Sequence, residues 1–598
     1  MNIFQSIINF FTSENADEEE EKYTLDSILT FVDDHTNALI KTNMEDFTVS
    51  TEEREKAKNR RNMFKKELEL CGLGDLSAKQ FIKSWIMDLI TQKYLIDPIN
   101  INKVINFDFP DLYTKFLIVL YVNMEKYKFG ALKEVIIQNK LDQLKDVNGE
   151  KMFAITEQDI EDIYLKESSV SIITFEDKLN ILVQIIYEKL YGLSVIDELS
   201  EQKKDGISIG VNGIPIDFIS KLNDMKIREP EKELNLSFSY DSIWLYFEGK
   251  EIWVKCLSFG SQRELERVCK KIYKFNNQRQ FSKKDGFIFN NMANFNRVVV
   301  YRPPFAESWA AIIRNFDIDG DLNVLIKGNN ADFVISLIRY LIRGKEKISV
   351  TGQQGVGKTT MLVGIVKEQY ANITLRIWES FFETFIRFKL PNRNVITIRE
   401  MEGLADEKAL DSLKKSNGQG TIISEAAEDK VITYLVKVAL TASEFILWTH
   451  HAEKPSDLVQ ALRNASINTG AFRDENIAEE QVLSILDIDI HLKKTSDGKR
   501  YIERITEFIR LDEEPFNNDS NEEAFYENTK KYFEKKSGSK KYKAVNLVEY
   551  DLASDTYKIS NKISESRLNK IRENLLDYDK ADFEQFIKNM NNIVCNRG

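Results

Sequence analysis

The sequence is poor in the residues that build metal centres and covalent cross-links. Its 598 residues include 4 cysteines and 4 histidines. No C-x-x-C pair occurs among the cysteines, so we expect no zinc site and no disulfide framework. Scattered free thiols are typical of a reduced compartment, which favours the cytoplasm. The cysteines are Cys71, Cys256, Cys269 and Cys595.

Other absences narrow the class of protein further. Only 9 prolines and 25 glycines occur, which argues against a disordered or fibrous chain. No apolar run reaches the roughly 18 residues that span a bilayer, and the start lacks the pattern of a signal peptide. The net charge is -12, so no global basic field attracts nucleic acid, and we expect no nucleic-acid partner.

The length predicts three or four domains, because one hydrophobic core does not grow to this size. Apolar residues at helical spacing open the chain, and we favour packing on the protein itself over docking to a membrane partner. The predicted segments are an apolar helix with an acidic linker (1–22), a helical N-terminal domain (23–165), a helical linker segment (166–230), an α+β domain (231–316), an α/β domain (317–511) and a C-terminal extension (512–598).

A phosphate-binding loop lies in the α/β domain. Gly352, Gly357, Lys358 and Thr359 fit the pattern G-x-x-x-x-G-K-[ST], between a β-branched strand and a helix. Glycines let the backbone N–H groups point at a phosphate, Lys358 reaches the β- and γ-phosphates, and the hydroxyl of Thr359 binds Mg²⁺. The residues expected to contact the nucleotide are Gly352, Gln353, Gln354, Gly355, Val356, Gly357, Lys358, Thr359 and Thr360.

Strands and helices alternate around this loop, which predicts a parallel sheet with helices on both faces. A β-hairpin through Asp497-Gly498 follows. The predicted strands are Ile348–Thr351, Ile373–Ile377, Val395–Ile398, Thr421–Ile423 and Glu444–Thr449.

Polar residues follow two of these strands at their carboxyl ends, where open sheets bind ligands. Glu425 comes after one strand and could organise Mg²⁺ or polarise water. The next strand runs into His450 and His451, and a histidine there could sense the γ-phosphate or contact a neighbouring subunit. Metal binding by the pair is disfavoured, because adjacent residues of a strand point to opposite faces.

Together these sites resemble the hexameric ATPases of type II and type IV secretion and of type IV pili. An acid after the second strand (Glu379), the strand-end Glu425 and the Thr449-His450-His451-Ala452 run match the order of the family's motifs. The upstream Asn296–Pro304 and Ile312–Phe316 stretches resemble its R-V-x-x-x-x-P-P and I-R-x-F signatures. The subset that this chain resembles most is the tight-adherence (Flp) pilus ATPases.

The resemblance implies a RecA-like ATPase domain preceded by a PAS-like α+β domain, with ATP and Mg²⁺ between them. It implies that Glu379 is the Asp-box acid, Glu425 the Walker B glutamate and second metal-side group, and His451 the His-box residue. Arg297 and Arg314 would reach the nucleotide when the domains close. It also implies a homo-hexamer in the cytoplasm, associated with an inner-membrane platform protein.

Three positions depart from the family pattern. The arginine expected two residues after Glu425 is absent, Ser380 replaces a common aspartate, and Arg463 stands about two positions late. Loss of an arginine near a transferred phosphate slows hydrolysis, so a slow ATPase is expected. Substitutes within the domain could be Arg376, Arg387, Arg393 or Arg399.

Two other functions stay open at this point. The altered Walker B region could belong to a non-hydrolysing scaffold whose ring assembly depends on bound nucleotide. A DNA-translocating conjugation ATPase is the second alternative, and the acidic balance of the chain disfavours it.

Overall fold

A computed structural model gives the fold of the chain, which divides into two compact units, Met1–Asp317 and Ile318–Gly598. The predicted N-terminal apolar helix lies outside the described residues. The same holds for half of residues 405–416, where the sequence predicts a helix, and for residues 537–540 of a segment predicted to be a link. Among the residues described, no helix is long and apolar enough to cross a membrane. The structure describes residues 22–41, 51–147, 149–168, 173–219, 223–224, 237–277, 281–282, 284–315, 320–400, 408, 411–413, 415–441, 443–511, 522–536 and 541–595.

The first unit combines a helical part with an eight-stranded sheet of order β1-β2-β5-β4-β3-β8-β7-β6. Its strands are β1 Leu144–Val147, β2 Glu150–Ile155, β3 Gly206–Ile209, β4 Ile243–Phe247, β5 Lys250–Val254, β6 Phe287–Asn291, β7 Arg297–Tyr301 and β8 Ala310–Arg314. Its α-helices are Leu25–Lys41, Thr51–Cys71, Leu76–Gln92, Ile101–Val104, Leu112–Tyr127, Ala131–Gln138, Glu157–Ser168, Phe175–Leu190, Asp197–Glu201 and Gln262–Ile272.

The short apolar runs at 243–247 and 251–254 flank a Glu-Gly-Lys turn and predict a hairpin, which is confirmed as β4 and β5, paired antiparallel. The hairpin of β1 and β2 was not expected, because it lies in the stretch predicted to be helical. Its strands are short and partly exposed, and β2 joins the sheet through parallel pairing with β5, about a hundred residues further on. A pairing between such distant segments leaves no local pattern in the sequence.

The second unit contains a nine-stranded sheet of order β11-β10-β12-β13-β9-β14-β15-β16-β17. Pairing is parallel from β11 to β14 and antiparallel from β14 to β17. The strands predicted around the phosphate loop and the hairpin after it are confirmed. The strands are β9 Ile348–Gly352, β10 Leu375–Glu379, β11 Val395–Arg399, β12 Gly420–Ile423, β13 Phe445–His450, β14 Ile488–Lys494, β15 Arg500–Arg510, β16 Tyr542–Asp551 and β17 Thr556–Ile559.

Helices cover both faces of this sheet. Along β13, Phe445 and Leu447 belong to one buried cluster, whereas Ile446 and Trp448 belong to another. Because side chains of a strand alternate between faces, the two clusters are the two sides of a doubly wound sheet. The α-helices of the unit are Leu322–Leu325, Ala331–Arg343, Lys358–Glu368, Ile386–Lys389, Asp429–Thr441, Pro455–Asn468, Glu475–Leu483, Glu522–Lys536, Glu565–Asn574 and Asp577–Cys595.

The C-terminal residues complete this unit. Strands β16 and β17 extend the sheet. Where the sequence predicts one final helix over about 563–592, the structure has two, Glu565–Asn574 and Asp577–Cys595. Arg567 makes ion pairs with Glu346, next to the start of β9, and with Glu507 on β15. The helix Glu565–Asn574 is therefore joined to the segment that leads into β9, the strand before the phosphate loop, and to β15.

Candidate functional site

The phosphate loop connects the end of β9 to the helix Lys358–Glu368. Gly352, Gly355 and Gly357 adopt φ values of 142°, 76° and 97°, which residues other than glycine adopt rarely. A Cβ at Gly352 would also collide with the carbonyl oxygen of Leu492 on the neighbouring strand. The helix begins at Lys358 with no side-chain cap, and an uncapped helix N-terminus attracts anions.

Lys358 is folded back onto the loop. Its Nζ donates hydrogen bonds to the carbonyl oxygens of Gly352 and Gln353, each at 3.0 Å. Burial lowers the pKa of Lys358 to about 8, and the carboxylates of Glu425 and Glu383 act in the opposite direction. The ammonium group of Lys358 therefore lies at the loop, close to the carboxylates of Glu425 and Glu383.

Thr359 contacts an acid that the sequence did not indicate as a site residue. Its Oγ1 lies 3.3 Å from Oε1 of Glu383, which is 9% exposed. Hydroxyl and carboxylate oxygens are hard donors of the kind that Mg²⁺ prefers. The only signal for Glu383 in the sequence is a second acid four residues after Glu379.

Glu379 itself is buried at the end of β10. Its Oε1 accepts the backbone N–H of Thr384 at 3.0 Å, and Oε2 is buried without a hydrogen-bond partner among the described residues. Burial raises the pKa of Glu379 to about 7. It therefore holds the turn that carries Glu383, and its predicted catalytic role stays a prediction.

The acid and one histidine after the neighbouring strands lie together beside Lys358. Nε2 of His451 lies 3.1 Å from Oε1 of Glu425, and Nδ1 of His451 lies 3.3 Å from Nζ of Lys358. Strand β13 lies between β9 and β12, so the segments that follow three adjacent parallel strands supply these three side chains, with Lys358 at the start of the helix after β9. Glu425 and His451 are partly exposed, so solvent reaches them.

His450 points away from this group, as the alternation of a strand requires. Its Nδ1 lies 2.7 Å from the carbonyl oxygen of Ala426, and since a carbonyl only accepts, Nδ1 carries the hydrogen. Burial lowers its pKa. His450 thus fixes the loop after β12, whereas His451 faces the phosphate loop.

The remaining predicted site residues divide between the two units. Gln353 donates from its side chain to Glu453 at 2.7 Å, and Val356 packs into the core. Arg297 and Arg314 are register partners on β7 and β8 of the first unit. Their predicted contact with the nucleotide stays a prediction, as do those of Gln354 and Thr360.

The four arginines suggested as substitutes differ in their surroundings. Arg376 donates to the carbonyls of Ser416 and Leu375, and Arg393 donates to those of Val366 and Lys367. These two therefore hold backbone within the unit, whereas Arg387 and Arg399 are exposed. Arg463 makes an ion pair with Glu475 at 2.7 Å.

Another basic side chain lies at the loop without having been expected there. Cδ of Arg500, at the start of β15, lies 3.8 Å from the position that a Cβ on Gly357 would occupy. Neither periodicity nor motif spacing indicates this approach, because the hairpin of β14 and β15 brings Arg500 back to the loop.

No protein-family model and no curated protein matches this chain. Among solved structures, the VirB11 ATPase of the Brucella suis type IV secretion system, in complex with sulphate, is 14% identical with a TM-score of 0.26, over 50% of this chain and 88% of that chain. The Legionella pneumophila ATPase DotB is 16% identical with a TM-score of 0.35, over 50% of this chain and 75% of that chain. The pilus retraction motor PilT with bound ADP is 13% identical with a TM-score of 0.36, over 66% of this chain and 89% of that chain.

Proposed function

We propose that the second unit is a RecA-like ATPase domain that binds Mg-ATP at the phosphate loop and hydrolyses it. The observation that carries this proposal is the convergence of Lys358, His451 and Glu425 beside the loop, from the segments that follow three adjacent strands. Phosphoryl transfer needs charge stabilisation and an oriented water more than covalent chemistry. This group supplies both.

Each residue has a defined part in the proposed reaction. Lys358 leaves the loop carbonyls and binds the β- and γ-phosphates. The Thr359 hydroxyl would hold Mg²⁺, and the Glu383 carboxylate, 3.3 Å from that hydroxyl, would accept from it and orient it. Glu425 orients the attacking water and accepts its proton.

We further propose, from the motifs of the sequence, that the chain belongs to the secretion and pilus ATPase superfamily and resembles its tight-adherence subset most. In that role a homo-hexamer at the cytoplasmic side of the inner membrane acts on a platform protein, to assemble a pilus or to secrete protein. The PAS-like assignment of the α+β domain and the reach of Arg297 and Arg314 to ATP belong to the same proposal.

Steady-state phosphate release by the purified full chain with Mg-ATP tests the proposal. Glu425→Gln keeps the size of the side chain and removes the base, so turnover should fall by about 100-fold or more. Lys358→Ala should abolish binding of Mg-ATP in calorimetry. Glu428→Gln is the matched control, because Glu428 is an exposed acid of the same loop. Equal turnover in Glu425→Gln and Glu428→Gln would refute the assignment of Glu425.

The non-hydrolysing scaffold remains the second candidate. It is favoured by the absence of an arginine two residues after Glu425 and by the commitment of Arg376 and Arg393 to backbone carbonyls. If the protein is a scaffold, its oligomers form only with ATP, and the wild type releases no phosphate. Mass photometry with and without ATP, beside the phosphate assay, separates the two functions.

A further inference from the structure

Arg504, on β15, connects three parts of the second unit that surround the candidate site. Its Nη2 donates to the carbonyl oxygen of Glu453 at 2.6 Å, and its Nη1 lies 2.6 Å from Oε2 of Glu503. Nη2 also lies 3.9 Å from Oδ2 of Asp489. The Arg504 side chain is 12% exposed and that of Asp489 is 1% exposed, so this pair is largely shielded from water.

On one side, Arg504 lies near Asp489 on β14, and Asp489 in turn bonds to the strand that leads into the phosphate loop. Asp489, which is 1% exposed on β14, accepts hydrogen bonds from Ser349 at 2.9 Å and from Thr351 at 2.8 Å. Thr351 directly precedes Gly352, the first residue of the loop motif. Asp489 therefore anchors the end of β9 where the loop begins.

On the other side, Arg504 holds the segment that follows His451. Glu453 comes two residues after His451, and its Oε1 accepts a hydrogen bond from Nε2 of Gln353 in the phosphate loop at 2.7 Å. Glu453 thus joins the two loops in two ways. Its side chain reaches the phosphate loop, and its backbone is held by Arg504.

We propose that Arg504 is a positioning residue that holds the loop of His451 against the phosphate loop. Through Asp489 and the Glu453 carbonyl, one guanidinium fixes both partners of the contact between His451 and Lys358. The consequence for turnover rests on the proposed ATPase function, whereas the consequence for the order of the two loops does not.

An arginine suits this position for a physical reason. Its planar fork donates in several fixed directions at once and stays charged when buried, which a lysine ammonium on a flexible stem does less well. Arg504→Gln should leave the Asp489 carboxylate buried without a cation and the Glu453 carbonyl without its donor. Arg504→Lys should restore the charge and part of the order.

Hydrogen–deuterium exchange of the nucleotide-free full chain tests the positioning. In Arg504→Gln, backbone amides of 449–454 and 352–358 should exchange about tenfold faster or more than in the wild type, while the helix Glu565–Asn574 keeps its rate. Arg510→Gln, at the exposed end of the same strand, is the matched control and should change neither loop. Glu453→Ala should loosen 352–358 alone, since its carbonyl still accepts from Arg504.

Steady-state kinetics with Mg-ATP measure an effect on turnover that a purely structural role of Arg504 would not produce. Arg504→Gln should lower kcat by about 10- to 100-fold with KM changed by less than about threefold, and Arg504→Lys should recover part of kcat. Unchanged exchange in both loops of Arg504→Gln would overturn the proposal. Faster exchange throughout the second unit would also overturn it, by assigning Arg504 a general structural role. A wild type without turnover would refute the ATPase function and leave exchange to decide the positioning.

Discussion

Nζ of Lys358 lies 3.3 Å from Nδ1 of His451, whose Nε2 lies 3.1 Å from Oε1 of Glu425. A neutral His451 with its hydrogen on Nε2 satisfies both contacts, because it accepts from the ammonium and donates to the carboxylate. The phosphate loop is thus connected to the strand-end acid through one imidazole. In the proposed reaction, Lys358 moves to a phosphate, and Glu425 is then available to a water.

Nucleotide affinity should fall as the pH rises through about 8. Burial lowers the pKa of Lys358 to about 8, so above that pH the free protein loses the charge that a phosphate needs. Phosphates favour the protonated lysine, and binding above this pH should therefore take up a proton. Calorimetry of Mg-ATP binding in buffers of different ionisation enthalpy, from about pH 7 to about pH 9.5, measures both effects. In Lys358→Arg, which stays charged, the proton uptake should disappear, and uptake that persists there would point to another group.

Acid should destabilise the wild type more than a His491→Gln variant. His491 is 1% exposed on β14, and burial, together with the nearby Arg504, lowers its pKa from 6.5 to about 4. The unfolded chain therefore binds a proton that the folded chain rejects. The contribution of neutral His491 to stability is complete above pH 6.5. As the pH falls from 6.5 towards about 4, the free energy of unfolding decreases by up to about 3 kcal/mol on account of this residue. Urea unfolding at a series of pH values measures the difference between the two proteins. A difference that stays constant across this range would contradict a neutral His491.

Removal of the guanidinium of Arg567 should destabilise the second unit strongly. Arg567 pairs with Glu346 and Glu507, whose side chains are both 0% exposed. Arg567→Met therefore leaves the buried Glu507 carboxylate without its cation and leaves Glu346 with Lys570 alone. Loss of one partner of a buried ion pair costs about 3–5 kcal/mol. Arg572→Met on the same helix is the control, because the pair of Arg572 with Glu584 is well exposed and should contribute less than about 1 kcal/mol. Thermal unfolding compares the two, and equal losses would argue against the C-terminal helix as a support of β9.

Substitution of Glu383 should weaken the response to Mg²⁺ more than substitution of Glu379. Glu383 lies 3.3 Å from the Thr359 hydroxyl, whereas Glu379 is turned to the backbone of Thr384. Loss of an outer-shell partner typically lowers metal affinity 10- to 100-fold. Half-maximal nucleotide binding by Glu383→Gln should therefore require a Mg²⁺ concentration at least about tenfold higher than in the wild type. Titration of Mg²⁺ against a fluorescent ATP analogue measures this midpoint. A larger shift in Glu379→Gln would assign the outer-shell role to Glu379 instead of Glu383.

The sequence by itself determined the parts of this protein that depend on neighbouring residues. The glycine spacing of 352–357 specifies the phosphate loop, because only glycine adopts these φ values readily. The short apolar runs that end in Glu425 and His450 specify parallel strands with polar ends, and the alternation of a strand separates His450 from His451. These features are local, and all of them are present in the structure.

Only the tertiary structure decided which distant residues complete the site. Glu383 reaches Thr359, Arg500 approaches Gly357, and Arg504 reaches Glu453 because the sheet order places their strands and loops at one edge. The same holds for the support of β9 by Arg567, 221 positions after Glu346. Contacts between segments so far apart depend on the packing of the whole unit, and no periodicity or spacing in the chain records them.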